Sequence, residues 1–160
     1  SLLPNEKLSR QMHANLTRVG GIRYNAEEQA FAEEISGSLG VADFIGMEKE
    51  ILRFELRQGM GSTDVGDVSW VVPTVGLRTS TWVPGTAPHS WQAIAAGGTS
   101  IGTKGMRVAA KALSLTARDL FLDPQLIEAG RAEFELRRGE NFRYKALLGN
   151  RVPPLDYRIK

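Results

Sequence analysis

The chain has 160 residues, 42% hydrophobic and 24% charged, a balance that excludes wholesale disorder and points to one domain or part of one. Twenty Lys and Arg against 18 Asp and Glu leave a net charge of +2, and there is no Cys, so nucleic-acid binding through a broad basic face, disulfides, thiolate metal sites and a cysteine nucleophile all drop out. No apolar run reaches the roughly 18 residues of a membrane span, and Ser1–Lys7 turns polar too early for a signal peptide, so the expectation is a cytoplasmic chain with no membrane and no nucleic-acid partner.

In chain order, Asn5 can cap a helix whose apolar face is Leu8, Met12, Leu16 and Val19, closed by Gly20-Gly21. Asn25 with Glu28 three residues on reads as a capping box opening a second helix. Its buried stripe is Ala30, Phe31 and Ile35, and its acidic pairs Glu27-Glu28 and Glu33-Glu34 read as the wet side. Residues 36–67 are glycine-rich, with Leu52, Phe54 and Leu56 alternating like a short strand. Val68–Val72 suits a buried strand, stopped by Pro73, and Val75, Leu77, Thr79 and Thr81 alternate as a second strand ended by the turn Trp82-Val83-Pro84-Gly85.

A long helix is predicted from about Ser100 to Leu122. One side of it is small, with Gly102, Gly105, Ala109 and Ala112. A helix-interior glycine costs about 1 kcal/mol relative to alanine, so close packing on a sheet is expected to repay it. Asp123-Pro124 starts the next helix, with proline at its first position. The last thirty residues hold eight basic and four acidic side chains, a modestly basic tail with aromatics at Phe142, Tyr144 and Tyr157.

Few residues carry chemistry. His13 lies on the flank of the first helix and reads as a partly exposed helix residue. His89 lies in Gly85-Thr-Ala-Pro-His-Ser-Trp, just after a predicted strand, where scaffolds present functional groups. It is either a loop histidine bonded to backbone or a metal or catalytic residue. Asp64 and Asp67 in Gly61-Ser-Thr-Asp-Val-Gly-Asp suit turn formation, with a metal or general-base role as the alternative for Asp64. Gly97-Gly-Thr-Ser-Ile-Gly-Thr-Lys-Gly is no P-loop, because Thr103 separates Gly102 from Lys104 and Gly105 stands where a hydroxyl residue is required. Its helix start could still meet a carboxylate or oxyanion. One histidine with two aspartates does not complete a hydrolytic metal site.

The stretch from Gly61 to Thr74, then Pro88-His-Ser-Trp-Gln, then Lys104-Gly-Met with Ala109-Ala-Lys-Ala-Leu, and the tail Pro153-Pro-Leu-Asp-Tyr, resembles the C-terminal part of the amidohydrolases of the aminoacylase–carboxypeptidase G group of metallopeptidases. The resemblance runs from about Leu3 to Tyr157. It implies cleavage of the amide of an N-acyl amino acid or dipeptide, such as p-aminobenzoyl-glutamate, by two divalent metal ions, Zn or Mn. It makes His89 the last metal ligand, Asp64 a carboxylate that orients it, and Gly98 and Thr99 substrate contacts.

The family's His-x-Asp motif and its lid domain have no counterpart in the chain. Residues 1–160 therefore read as the C-terminal segment of a catalytic domain that begins just after the lid, and the chain alone is expected to be inactive. Its partners would be the substrate and a second subunit or a second copy. The alternative is a non-catalytic module, descended from such an enzyme, that binds a small carboxylate. Both lines give an α/β or α+β fold of three layers, a small mixed sheet flanked by helices, as in the second half of a zinc-peptidase-like domain.

Overall fold

The computed structural model describes residues 1–40, 44–57, 63–146, 148–156 and 158. Its regular elements are α1 (Glu6–Val19), α2 (Ala26–Gly37), a 3-10 turn (Met47–Lys49), α3 (Val65–Ser69), α4 (Trp91–Gly97), α5 (Ser100–Leu122) and α6 (Pro124–Arg138). No strand occurs among the described residues. The expected α/β or α+β fold, with three layers and a mixed sheet, is thus corrected to a helical one.

The helices form where their ends carry strong local signals. Asn5 caps α1 by accepting from Leu8 N–H, and its amide also donates to the Gly130 carbonyl at 2.7 Å, tying α1 to α6. Glu133 of α6 accepts from the backbone N–H of Glu6 and Lys7, filling two more free donors of the same helix start. Asn25 and Glu28 form the full capping box expected for α2. Asp123 closes α5 and caps α6, with Pro124 in its first turn.

Packing then fixes the scaffold. α1 lies against α5 and α6, and α4 against α5. Leu8 and Met12 are buried on α1, and Phe134 on α6. The central core joins Ile22, Ala32, Ile35, Val83, Ala96 and Ile101. The expected close approach at the glycines of α5 is present, but its partner is not a sheet. A methyl group added at Gly105 would overlap the Ser80 carbonyl, and one at Gly102 the carbonyl of Gly97. The small side of α5 thus seats the chain segment before α4 and the end of α4 itself.

Among the described residues each predicted strand lacks the partner a strand requires. Residues 65–69 of the apolar run form α3, and Val71 and Val72 N–H close back on the Val68 carbonyl. Val65, Val68, Val71 and Val72 are each 43–50% exposed, so the run is not a buried one. Residues 73–82 make no backbone–backbone hydrogen bond with the described residues, and Thr79 is held only through its hydroxyl to the Gly105 carbonyl. Residues 52–56 form no ladder with the described residues. His13 of α1 holds them, its Nε2 2.9 Å from the Leu52 carbonyl and its ring edge-on to Phe54. No helix among the described residues is long and apolar enough to cross a membrane.

Candidate functional site

The segment that carries the expected site is the turn between the core residue Val83 and α5. Thr86 N–H closes a turn on the Val83 carbonyl. His89 follows with φ of 59°, the one non-glycine residue in the left-handed region among those described. That conformation is uncommon for a residue bearing a Cβ, less so for His, and its strain is of the order of 1–3 kcal/mol. Ser90 then caps α4, accepting from Ala93 N–H and donating to the Ala87 carbonyl. The Ser90 cap and the packed residues Val83 and Ala93 hold the turn from both sides, so the His89 ring projects at an exposed corner.

Gly98 and Thr99 sit at the other end of α4. Gly98 ends that helix with its N–H on the Ile94 carbonyl, and it is exposed. Thr99 caps α5, its hydroxyl accepting from Ile101 N–H at 3.2 Å and donating to the Ala96 carbonyl at 2.6 Å. Seven residues of α4, about 10 Å of helix, therefore separate His89 from the Gly98–Thr99 pair. Asp64 lies at the start of α3, exposed, and its side chain makes no capping bond. The structure brings Gly98 and Thr99 together. It joins neither of them, nor Asp64, to His89 by a hydrogen bond.

Among the described residues no group of three or more His, Asp or Glu side chains could hold a metal ion. The donors among the described residues thus do not complete a divalent-metal site. His89 is a single exposed imidazole, and a single imidazole can serve only as one ligand of a set completed elsewhere.

Lys104, next to the glycine-rich start of α5, is not a phosphate ligand. Its ammonium donates to the Arg23 carbonyl and to the Glu28 carboxylate, which also accepts from the Ser100 hydroxyl and Asn25 N–H. Glu28 is 5% exposed, which corrects its expected place on the wet side of α2. Burial pushes its carboxyl up. The hydrogen bonds from Lys104, Ser100 and Asn25, with the Lys104 charge, outweigh burial and hold it below the usual glutamate range. Tyr24 is shifted upward, first by burial and then by the charges of Glu48 and Glu28. This network joins α2 to α5 under the α4 end. Its sequence signal was the capping box itself: the carboxylate oxygen that accepts from Asn25 N–H also takes the Lys104 ammonium, and the other accepts from Ser100.

A cavity of about 510 Å³ opens elsewhere, walled by Leu16, Ile22, Phe44, Ile51 and Val108, with Arg78 at its lining. None of His89, Asp64, Gly98 or Thr99 borders it.

Comparison with known proteins places these elements in a class. The chain is related to an amidohydrolase family, to which it corresponds as a partial segment. It is 32% identical over 161 residues to one of the subunits of p-aminobenzoyl-glutamate hydrolase from Escherichia coli (strain K12), a match covering 84% of this chain and 34% of that protein. The chain thus spans about a third of the length of the curated relative it matches. No protein-family model matches the chain, and no solved structure matches it.

Proposed function

We propose that this chain is a segment of a longer, metal-dependent amidohydrolase that cleaves p-aminobenzoyl-glutamate or a related N-acyl amino acid or dipeptide. The observation that carries the reading is the 32% identity to the hydrolase subunit over 84% of the chain. In this proposal His89 supplies one imidazole ligand to a site of two divalent ions, Zn or Mn, whose other ligands lie outside the segment. The strained, exposed turn supports that role, because it presents the ring away from the core on a backbone braced by the Ser90 cap.

Bound metal would polarise the amide carbonyl and lower the pKa of water. Asp64 is proposed to accept the other imidazole N–H once the remaining part of the enzyme is in place, as metal-bound histidines generally require. Gly98 and Thr99 are proposed to border the substrate. The 160-residue chain alone is proposed to be inactive, a second subunit or a second copy is proposed as partner, and the compartment is proposed to be the cytoplasm.

The test is a hydrolysis assay and metal analysis on the longer polypeptide that contains this segment, with and without His89→Ala. The expected result is cleavage of p-aminobenzoyl-glutamate by the parent. In the variant, a loss of activity of 100-fold or more, as expected on removing a metal ligand, should accompany a fall in bound metal (~100-fold in turnover, ~3 kcal/mol). Full metal occupancy and full activity in the variant would reject the ligand assignment. Turnover by the purified 160-residue chain would reject its role as an incomplete segment.

A further inference from the structure

α5 has three sides. Ile101, Gly102, Gly105, Ala112 and Thr116 face the protein and are buried. A second side carries Met106, Ala110, Leu113, Ala117 and Phe121, spaced four and three residues apart like a helix-pairing seam. All five are exposed, with Met106 at 60%, Leu113 at 46% and Phe121 at 87%. The third side, directly beside the seam at helical spacing, carries Arg107, Lys111 and Arg118, all exposed. No acidic residue interrupts this ridge. The one acid of the helix, Asp119, is turned toward α1, where Gln11 and Asn15 hold it at 2.7 and 2.8 Å, and Arg118 reaches it at 3.4 Å.

The surface as a whole is larger than a compact unit of this mass exposes. The chain exposes 12007 Å², against roughly 7,900 Å² for a compact monomer of its mass. The seam on α5 is a continuous apolar part of that excess. An apolar strip of four turns beside a purely basic ridge calls for a complement that is apolar at its centre and acidic at one flank.

We propose that the exposed side of α5 is the docking face for an amphipathic, acid-flanked helix carried by the part of the longer hydrolase outside this segment. The inference rests on the functional reading above for the source of the helix, and on the charge and spacing of α5 for its chemistry. Alanines at 110 and 117 between larger residues leave hollows into which the side chains of a partner helix can seat. A second copy of the chain would offer the same basic ridge and no acid beside its seam. A membrane-surface helix would carry bulk at the two alanine positions.

The probe is a designed helical peptide of three heptads, with Leu at the core positions and Glu at the flanking ones, compared with its Lys-flanked twin. The 160-residue chain should bind the Glu peptide about tenfold more tightly than the Lys peptide, the sum expected of three exposed charge pairs. The triple variant R107E/K111E/R118E, checked for unchanged helicity, should reverse that order. Leu113→Lys should abolish binding of both peptides.

Equal binding of the two peptides, or none, would overturn the proposal. So would capture by anionic phosphatidylserine vesicles with no peptide binding, or a chain dimer that Leu113→Lys dissolves. For the source of the helix, a maleimide should label Ala110→Cys at least tenfold more slowly in the longer hydrolase than in the 160-residue chain, and equal rates would contradict it. Failure of the longer polypeptide to cleave amides would strike the functional reading and leave both binding results standing.

Discussion

The bundle of α1, α5 and α6 and the stretch from residue 63 to residue 90 are made of similar residues but are held in different ways. In the bundle, each helix start has its own cap, and the caps reach across to neighbours. Asn5 bonds Gly130, and Glu133 bonds Glu6 and Lys7. In the stretch, the four valines around α3 stay half-exposed, residues 73–82 form no backbone ladder with the described residues, and His89 stands in a strained turn. The difference teaches that local signals complete the scaffold from within the chain. The stretch that presents His89 is held mainly through side chains: Ser69 and Trp70 bond Leu3 and Ser1, Thr79 bonds Gly105, Val83 sits in the core and Ser90 caps α4.

The largest expected effect lies where the two regions meet. Gly105→Val would force its side chain into the Ser80 backbone, beside Thr81. It should destabilise the chain by about 3 kcal/mol, as severe overpacking does, read as a fall in the urea midpoint with an unchanged slope. An unchanged midpoint would mean that the stretch does not rest on α5.

The Lys104–Glu28 link should come next. Lys104→Met leaves a buried carboxylate without its cation and should cost about 2 kcal/mol at neutral pH. The sign with pH follows from Glu28. Its carboxyl sits below the usual range when folded, so its contribution is full above the unfolded glutamate value and is lost as pH falls through the folded one. The parent should therefore lose stability on acidification below about pH 4.5, and Lys104→Met should lose less. Parallel acid-unfolding curves for the two proteins would refute the account of the network.

Asn25→Ala should cost about 1 kcal/mol, a typical cap loss, seen as reduced helicity and a small shift of the thermal midpoint. Smallest of all, Leu56→Ser in the 52–56 segment, where the side chain is 53% exposed, should move stability by under about 0.5 kcal/mol. A larger change would show that this segment contributes to the core.

Legibility in the sequence follows the same division. Asn5, the Asn25–Glu28 box and Asp123-Pro124 announced helix starts because caps are local chemistry. Gly102 and Gly105 announced a close approach because nothing else repays their cost in a helix. What they approach was not legible, since it depends on Ser80 and Gly97, distant or ambiguous in pattern. The valines at 68–72 misled because a short apolar run suits a buried strand and a helical turn equally, and only partners decide. α4 was missed although Ser90 followed by Trp-Gln-Ala-Ile-Ala-Ala carries a cap and good helix formers. For the site, the position of His89 in a loop was legible and its backbone strain was not, since a left-handed φ at a histidine leaves no trace in composition. The burial of Glu28 was hidden because its partner Lys104 lies 76 residues away.

Amide hydrogen exchange on the 160-residue chain tests the contrast between the two regions most directly. Interior amides of α1, α5 and α6 should exchange slowly and together, near the global unfolding limit, while those of residues 74–81 exchange within the dead time of the experiment. Slow exchange across 74–81, matching that of α5, would contradict the account, because it would show hydrogen-bonded backbone where the structure has none with the described residues.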